Sequence, residues 1–267
     1  MNSALQKAAL LLKKSAFRLL RLLGILAVIY VSMVFYLALT ERRNAFPRAI
    51  FHKEANDAIA PKANPLTCTL DDGTILHGFS IGNENSPVLL YYPEADEDAA
   101  QFLAQTDSFP GINIVAFNYR GSANNKGTPS EKTFESDARQ IAECASQVNG
   151  NRPQFLAGRG TGAISAVNQS RQGETVLLID PVLDIADAIS EKYRLLYPKF
   201  LVRSNFKADM GKLADRSRDI VVIYDRKSAE ERARATMAVF SNKSEFFRQG
   251  QPLSTTVMKA LSKNLSP

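Results

Sequence analysis

The stretch that decides the fold is residues 155–163, which read Phe155-Leu156-Ala157-Gly158-Arg159-Gly160-Thr161-Gly162-Ala163. An apolar run that ends in three glycines at alternate positions is typical of a strand that turns sharply into a helix. Gly158 and Gly162 allow two backbone segments to approach closely, because glycine carries no side chain. An ordinary strand-to-helix turn has the same composition, so the flanking sequence must identify it.

This turn differs from the known phosphate-binding loops. It lacks a Gly-Lys-Ser/Thr ending, and no strand-linked acidic residue marks a dinucleotide fold. Its spacing matches G-x-S-x-G, in which a sharp turn lifts a serine hydroxyl to the rim of a sheet. Gly160 stands at the position of that serine. Since glycine has no hydroxyl, the turn has the layout of a nucleophile site without the nucleophile.

The preceding sequence predicts further strands. Residues 70–78 contain an Asp-Gly turn between two alternating apolar runs, which indicates a hairpin. Residues 87–92 and 112–121 each contain a short apolar run that is typical of a buried strand. Strands that alternate with helical segments predict an α/β fold with a doubly wound, mostly parallel sheet.

The order of these pieces resembles the α/β-hydrolase superfamily, and most closely its membrane-anchored lipase- and esterase-like group. The matching motifs are Asn118-Tyr119-Arg120-Gly121, Gly127-Thr128-Pro129-Ser130-Glu131, Asp137-Ala138 and Leu177-Leu178-Ile179-Asp180-Pro181-Val182. The resemblance implies an α/β-hydrolase-like domain over residues 65–267. It also implies a Ser-His-acid triad, whose three members act together.

The triad that the resemblance implies is degenerate at every position. Gly160 replaces the nucleophile, Ser228 stands where the family has its acid, and Gln251 stands where it has its histidine. Asp225 could supply the acid only if the register slipped by three residues. We therefore expect these positions to carry no catalytic residue.

The chain has two histidines, and neither follows the turn. His52 lies near the predicted membrane helix, and His77 lies in the second strand of the hairpin. We expect a structural or solvated role for both, so that no imidazole is available as a general base.

The oxyanion site that the resemblance implies is changed as well. Where the family has His-Gly-Asn-Ala, this chain has Tyr92-Pro93-Glu94-Ala95. An oxyanion hole needs N–H dipoles aimed at developing negative charge. Pro93 has no N–H, and Glu94 brings a carboxylate. The pocket that we expect around the turn is lined by Pro93, Glu94, Arg159, Thr161, Asp180 and Asp225.

Other candidate nucleophiles have simpler roles. Ser130 precedes Glu131 and a helical run, so we expect it to cap that helix. Cys144 lies later on the same helix and is expected to be a packed small residue, because no cationic partner is evident. We expect Cys144 and Cys68 to be free thiols, since one is on a helix and the other on a distant first strand.

The N-terminal part predicts a membrane anchor. Residues 22–40 form an uninterrupted uncharged stretch, long enough to cross a hydrocarbon core of about 30 Å. Residues 1–21 predict a basic amphipathic helix on an anionic leaflet. Residues 41–64 predict a linker of uncertain order. The basic flank places the N-terminus in the cytoplasm and the folded domain in a periplasmic, lumenal or extracellular space.

The charge distribution excludes one class of partner. The chain has 33 basic and 27 acidic residues, and residues 1–60 hold nine of the basic and three of the acidic ones. The remainder has 24 of each, so the excess of positive charge belongs to the membrane arm and gives no case for nucleic-acid binding. No metal-binding cluster or cofactor motif is evident, and we expect no cofactor.

Two functional hypotheses remain. The first is a membrane-anchored, non-catalytic α/β-hydrolase-like protein with a binding, scaffolding or regulatory role, whose partner is a protein or a small apolar ligand. The second is an esterase, thioesterase or lipase that uses an unrecognised nucleophile. Fold alone does not decide between them.

Overall fold

The computed structural model describes residues 2–106, 111–209, 211, 217–224, 243–247 and 252–265. Its centre is one eight-stranded sheet in the order β1-β2-β4-β3-β5-β6-β7-β8. The strands are β1 (Asn64–Thr69), β2 (Ile75–Ile81), β3 (Val88–Tyr92), β4 (Asn113–Phe117), β5 (Phe155–Arg159), β6 (Glu174–Ile179), β7 (Ser217–Tyr224) and β8 (Lys243–Phe247). Strand β2 pairs antiparallel with β1 and β4, and the other pairings are parallel. The prediction of a mostly parallel sheet and of the Asp-Gly hairpin is confirmed.

The part of the chain described above holds seven α-helices. They are α1 (Asn2–Ala45), α2 (Lys53–Ile59), α3 (Ala99–Ala104), α4 (Glu131–Ser146), α5 (Gly162–Gln169), α6 (Ile185–Tyr193) and α7 (Leu253–Leu265), and two short 3-10 turns, Arg194–Leu196 and Lys199–Leu201, follow α6. Helices α4, α5 and α6 pack on one face of the sheet, and α2, α3 and α7 pack on the other.

The central strands are buried on both faces. Every residue of β3, β4 and β6 is buried. Along β3, Leu90 and Tyr92 contact one helical layer, whereas Leu89 and Tyr91 contact the other. This alternation explains why the strands are mostly apolar, as is usual for a parallel sheet that is covered on both sides. The doubly wound arrangement is therefore confirmed.

The N-terminal helix is longer than the uncharged stretch predicted as a membrane span. Helix α1 is continuous from Asn2 to Ala45, and its part from Leu10 to Ala45 is long and apolar enough to cross a membrane. It therefore includes the predicted amphipathic segment, residues 1–21 apart from Met1, and the predicted span, residues 22–40. Its last turns join the domain, since Leu37 and Ala45 are buried in the core.

The segment predicted as a linker, residues 41–64, is largely ordered against the domain. Its first residues complete α1, Phe46 lies in the core, and Ile59 of α2 is buried on the opposite face. His52 caps α2 by accepting a hydrogen bond from the Ala55 amide, at 3.2 Å. The prolines and polar residues of this segment concealed its order, whereas its few apolar residues supply the packing.

The prediction of two free thiols was wrong. Cys68 of β1 and Cys144 of α4 form a disulfide, with their Cα atoms 5.7 Å apart. That separation lies in the ordinary range for disulfides. The sequence separation of 76 residues concealed this proximity, because it does not show that α4 packs across the face of the first strand.

The start of α4 and the loop before it are held by two sets of polar contacts. Ser130 caps α4, accepting a hydrogen bond from the Thr133 amide, as predicted. The Arg120 guanidinium donates to both carboxylate oxygens of Asp137, at 2.6 and 2.7 Å, and this pair is almost fully buried. The hydrogen bonds to Asp137 raise the pKa of Arg120. Two of the motifs that suggested the family are thus joined by one ion pair.

Candidate functional site

The site lies at the carboxyl end of β5, where the chain turns into α5. Glycine is required at 158 because a side-chain carbon there would overlap Ala163 of α5, and at 162 because it would overlap the backbone of Tyr92 and Pro93. Gly160 has a φ of +52°, which non-glycine residues rarely adopt. The predicted strand-turn-helix is confirmed, and its three glycines have separate steric reasons.

Gly160 is covered by an acidic side chain. A Cβ at residue 160 would lie 2.5 Å from Oε1 of Glu94 and 2.7 Å from its Cγ. Glu94 comes from the loop after β3, the neighbouring strand in the sheet. The Glu94 side chain therefore occupies the volume in which a nucleophile on residue 160 would begin.

The amides at the predicted oxyanion position are already engaged. The Glu94 amide donates to Oε2 of Glu97, at 3.1 Å, and the Ala95 amide donates to Oγ1 of Thr161, at 3.2 Å. Pro93 contributes no amide hydrogen, and its carbonyl oxygen accepts from the Tyr119 hydroxyl, at 3.2 Å. These donors are consequently bound to protein side chains instead of being directed at a substrate.

A buried polar network lies beneath Glu94. Oε2 of Glu97 also accepts from the Tyr91 hydroxyl, at 2.6 Å, and Oε1 of Glu97 accepts from the Arg159 guanidinium, at 3.1 Å. Burial raises the pKa of the Glu97 carboxyl, whereas the neighbouring Arg159 opposes that rise. Burial likewise raises the pKa of the Tyr91 hydroxyl. This network fixes the loop that carries Glu94 to the strand that leads to Gly160.

The predicted pocket residues are brought together in part. Pro93, Glu94, Arg159 and Thr161 meet around the turn through the contacts above. Asp180 follows β6, is buried, and has a φ of +44°, and its amide donates to the Ile223 carbonyl oxygen. Two residues later, the Val182 amide donates to the Gly160 carbonyl oxygen, at 2.9 Å, so this loop also borders the turn. Asp225, Ser228 and Gln251 lie outside the described residues.

An open cleft of about 410 Å³ adjoins the network. Its lining is polar and comprises Glu94, Asp96, Glu97, Gln101, Gln105 and Arg159. Among the described lining residues, three carboxyl side chains face one guanidinium, so this part of the cleft has a negative balance. Among the described residues, no three potential metal-ligating acidic, histidine or cysteine side chains come together.

Sequence reasoning missed Glu97 and Tyr91. One signal was present, because Arg159 ends a buried strand and a guanidinium in that position requires an acceptor. Glu97 follows β3 closely, but the sequence does not show which of the neighbouring acids turns inward. His77 is exposed on β2, as the structural or solvated role predicts.

Comparison with known proteins identifies the architecture. No established family profile matches the chain. It is 30% identical over 123 residues to the uncharacterized membrane protein YNL320W of Saccharomyces cerevisiae, a match that spans 43% of each protein. The chain thus matches less than half the length of that relative.

Solved structures match over most of the chain. An alpha-beta hydrolase from Vibrio vulnificus has a TM-score of 0.65 at 17% identity, with 86% of this chain and 91% of that one covered. A putative lipase from Acinetobacter baumannii has a TM-score of 0.62 at 10% identity, with 80% and 94% covered. The esterase PF2001 from Pyrococcus furiosus has a TM-score of 0.55 at 14% identity, with 82% and 95% covered. Together with the strand order and the strand-turn-helix at Gly160, these matches show that the chain has the α/β-hydrolase fold, preceded by one long apolar helix.

Proposed function

We propose that this protein is a membrane-anchored binding protein that uses the α/β-hydrolase fold without hydrolysing esters. The observation that carries the proposal is the position of the Glu94 side chain over Gly160. A serine hydrolase needs a hydroxyl at that point. Here a carboxylate fills the space, and a carboxylate opposes the negative charge that builds up on a tetrahedral intermediate.

The hydrogen bonds of the loop after β3 support the same proposal. Glu97 and Thr161 accept from the two amides that could face an oxyanion. Loss of a single oxyanion donor costs about 3 to 4 kcal/mol of transition-state stabilisation. With no histidine after residue 77, the sequence also lacks a general base of the usual kind.

The binding surface that we propose is the polar cleft beside the turn. Its negative balance and its open shape suit a basic or polar protein surface better than an apolar ligand. The buried Glu97–Arg159 pair holds this surface in one conformation, as preorganisation for binding requires. The partner would therefore present basic side chains at the same face of the membrane as the domain.

The proposed location of the domain is outside the cytoplasm. The basic flank of α1 favours a cytoplasmic N-terminus. The Cys68–Cys144 disulfide supports the same orientation, because disulfides persist in oxidising compartments. Protease accessibility in cells whose outer layer is permeabilised tests this orientation, and protection of the domain there would contradict it.

Reaction with a fluorophosphonate probe tests the absence of a serine nucleophile. We expect no labelled peptide from the folded full-length protein in detergent, while an active serine hydrolase in the same detergent is labelled. Stoichiometric labelling of one serine, located by mass spectrometry and lost on denaturation, would favour a hydrolase with an unrecognised nucleophile.

A charge-reversal variant tests the binding role. Asp96 and Gln105 line the cleft and are exposed, so Asp96→Lys with Gln105→Lys should fold normally. We expect proteins that co-purify with the wild type from native membranes to be lost from this variant. Gln172→Lys, an exposed change before the amino end of β6, is the control and should retain them. Equal recovery by both variants would contradict the proposed cleft.

A further inference from the structure

Residues 193–203, which we call the cap segment, lie along the membrane helix. The Tyr30 hydroxyl donates to the Leu195 carbonyl oxygen, at 3.2 Å. The Arg203 guanidinium donates to the Ala38 carbonyl oxygen, and the Tyr197 hydroxyl donates to Oε2 of Glu41, at 2.6 Å. The cap segment thus follows α1 from Tyr30 to Glu41.

These contacts place part of the domain beside the membrane span. Tyr30 lies inside the uncharged stretch 22–40, eleven residues before Glu41. At 1.5 Å per residue this is about 16 Å along the helix, which is about half the thickness of the hydrocarbon core. A domain that stayed wholly in water would have to draw this half of the stretch out of the bilayer.

The cap segment carries two exposed apolar side chains. Leu195 is 89% exposed and Phe200 is 83% exposed. Their neighbours Leu196, Leu201 and Val202 instead pack inward against the core. Isolated exposed apolar residues are common on soluble domains. These two differ because they project from a segment that is hydrogen-bonded to the membrane helix.

The charges around the cap segment suit an interface between lipid and water. Arg194 and Arg203 are exposed, and long basic side chains can bury their apolar stems while the charged group reaches the headgroups. Lys199 is held by Asp184 and Asp187, at 3.0 and 2.6 Å, so its charge is balanced within the domain. The buried Glu41 carboxylate does not face lipid, since it is bound by Tyr197 and by the amides of 203 and 204.

We propose that the cap segment is a second membrane contact, which inserts Leu195 and Phe200 into the leaflet beside α1. The domain is then held against the bilayer at two places. The second contact fixes the tilt of the domain relative to the bilayer, because a single crossing helix would leave that tilt free. The binding partner of the cap segment in this proposal is the lipid surface.

Single tryptophans test the proposal, because the chain contains none. The full-length protein is placed in vesicles of phosphatidylcholine and phosphatidylglycerol, with brominated acyl chains as quenchers. Leu195→Trp and Phe200→Trp are the test variants, and both sites are exposed enough to accept the larger ring. Val28→Trp, exposed on α1, is the positive control, and Gln172→Trp, before the amino end of β6, is the negative one.

We expect tryptophans at 195 and 200 to emit at shorter wavelength than that at 172 and to lose most of their emission to brominated lipid, as the one at 28 does. Quenching at 28 alone would overturn the proposal while leaving the membrane anchor intact. Absence of quenching at 28 would also overturn it, because the cap segment cannot enter a bilayer that α1 does not cross. Short-wavelength emission at 195 and 200 that brominated lipid does not quench would indicate contact with protein, such as a second copy of the chain, and would likewise overturn the proposal.

Discussion

The Glu94 side chain lies directly over the α-carbon of Gly160, where the first carbon of any side chain on residue 160 would stand. The two residues follow the carboxyl ends of neighbouring parallel strands, β3 and β5. Glycine at 160 and an acid at 94 are therefore complementary in shape. The glycine leaves the space that the Glu94 side chain fills, so the turn at Gly160 and the loop after β3 form one structural feature.

Replacement of Gly160 should show this complementarity as an energetic coupling. Gly160→Ala is expected to cost about 1 to 2 kcal/mol of stability for the positive φ alone, and more for displacement of Glu94. In the double variant with Glu94→Ala, we expect a coupling of about 0.5 to 3 kcal/mol that favours the pair of changes. Chemical denaturation of all four proteins measures it.

A glycine in open space is the control for that cycle. Gly173 has a φ of +86°, and no atom lies within 4 Å of the position that its Cβ would take, so Gly173→Ala carries only the backbone cost. It should not couple to Glu94→Ala. If the stability effects of Gly160→Ala and Glu94→Ala were also strictly additive, the Glu94 side chain would be able to move aside without cost.

The Arg120–Asp137 pair should be essential for stability. Both side chains are nearly buried, and loss of one partner from a buried pair costs about 3 to 5 kcal/mol when the other charge is left without compensation. Since the half-exposed Asp72 carboxylate would still compensate the Arg120 charge in part, we expect Asp137→Ala to reach the lower end of this range in denaturant unfolding. Asp72 binds the same guanidinium from the surface, at 2.8 Å, so Asp72→Asn is the matched control and should have a small effect.

The family motifs were informative because they contain these structural residues. Arg120, Asp137 and Ser130 build the same loop and helix start whether or not chemistry occurs nearby, so their spacing predicted the fold. The position of the Glu94 side chain could not be predicted in the same way. It depends on the hydrogen bonds that Glu97 and Thr161 make to the loop, and the bond to Thr161 joins distant parts of the chain.

The disulfide should contribute strongly to stability. Closing a loop of 76 residues corresponds to about 4 to 5 kcal/mol in the chain-entropy description of the unfolded state. We expect Cys68→Ser with Cys144→Ser to lower the unfolding free energy by that order. In cells, alkylation of the wild type should require prior reduction. Prompt alkylation without a reductant would contradict both the disulfide and the oxidising location.

Glu97 should give the protein a specific pH dependence. Because burial raises its folded pKa above the usual 4.5, the folded state binds this proton more tightly than the unfolded state. The stability that this proton provides to the folded state is therefore fully present below pH 4.5 and is lost as the pH rises through the pKa of Glu97 in the folded protein. Relative to Glu97→Gln, the wild type should be more stable near pH 4 than near pH 7. Glutamine keeps an acceptor for the Tyr91 hydroxyl, so it is a conservative replacement. If the stability difference between wild type and Glu97→Gln were the same at both pH values, the raised pKa of Glu97 would be contradicted.

Restoration of the nucleophile alone should not restore hydrolysis. In Gly160→Ser the new hydroxyl would lie against the Glu94 carboxylate, without a histidine at Gln251 or an acid at Ser228. Triad members act as a unit, so one member recovers little of an effect of order 10⁶-fold. Even the triple variant Gly160→Ser, Gln251→His and Ser228→Asp should hydrolyse esters poorly, because the amides of 94 and 95 are bound to Glu97 and Thr161.

The measurement is hydrolysis of short and medium acyl esters by folded variants, with Gly160→Ala as the control. A saturable gain in Gly160→Ser that Gly160→Ala lacks would show that a base and an oxyanion hole survive in this site.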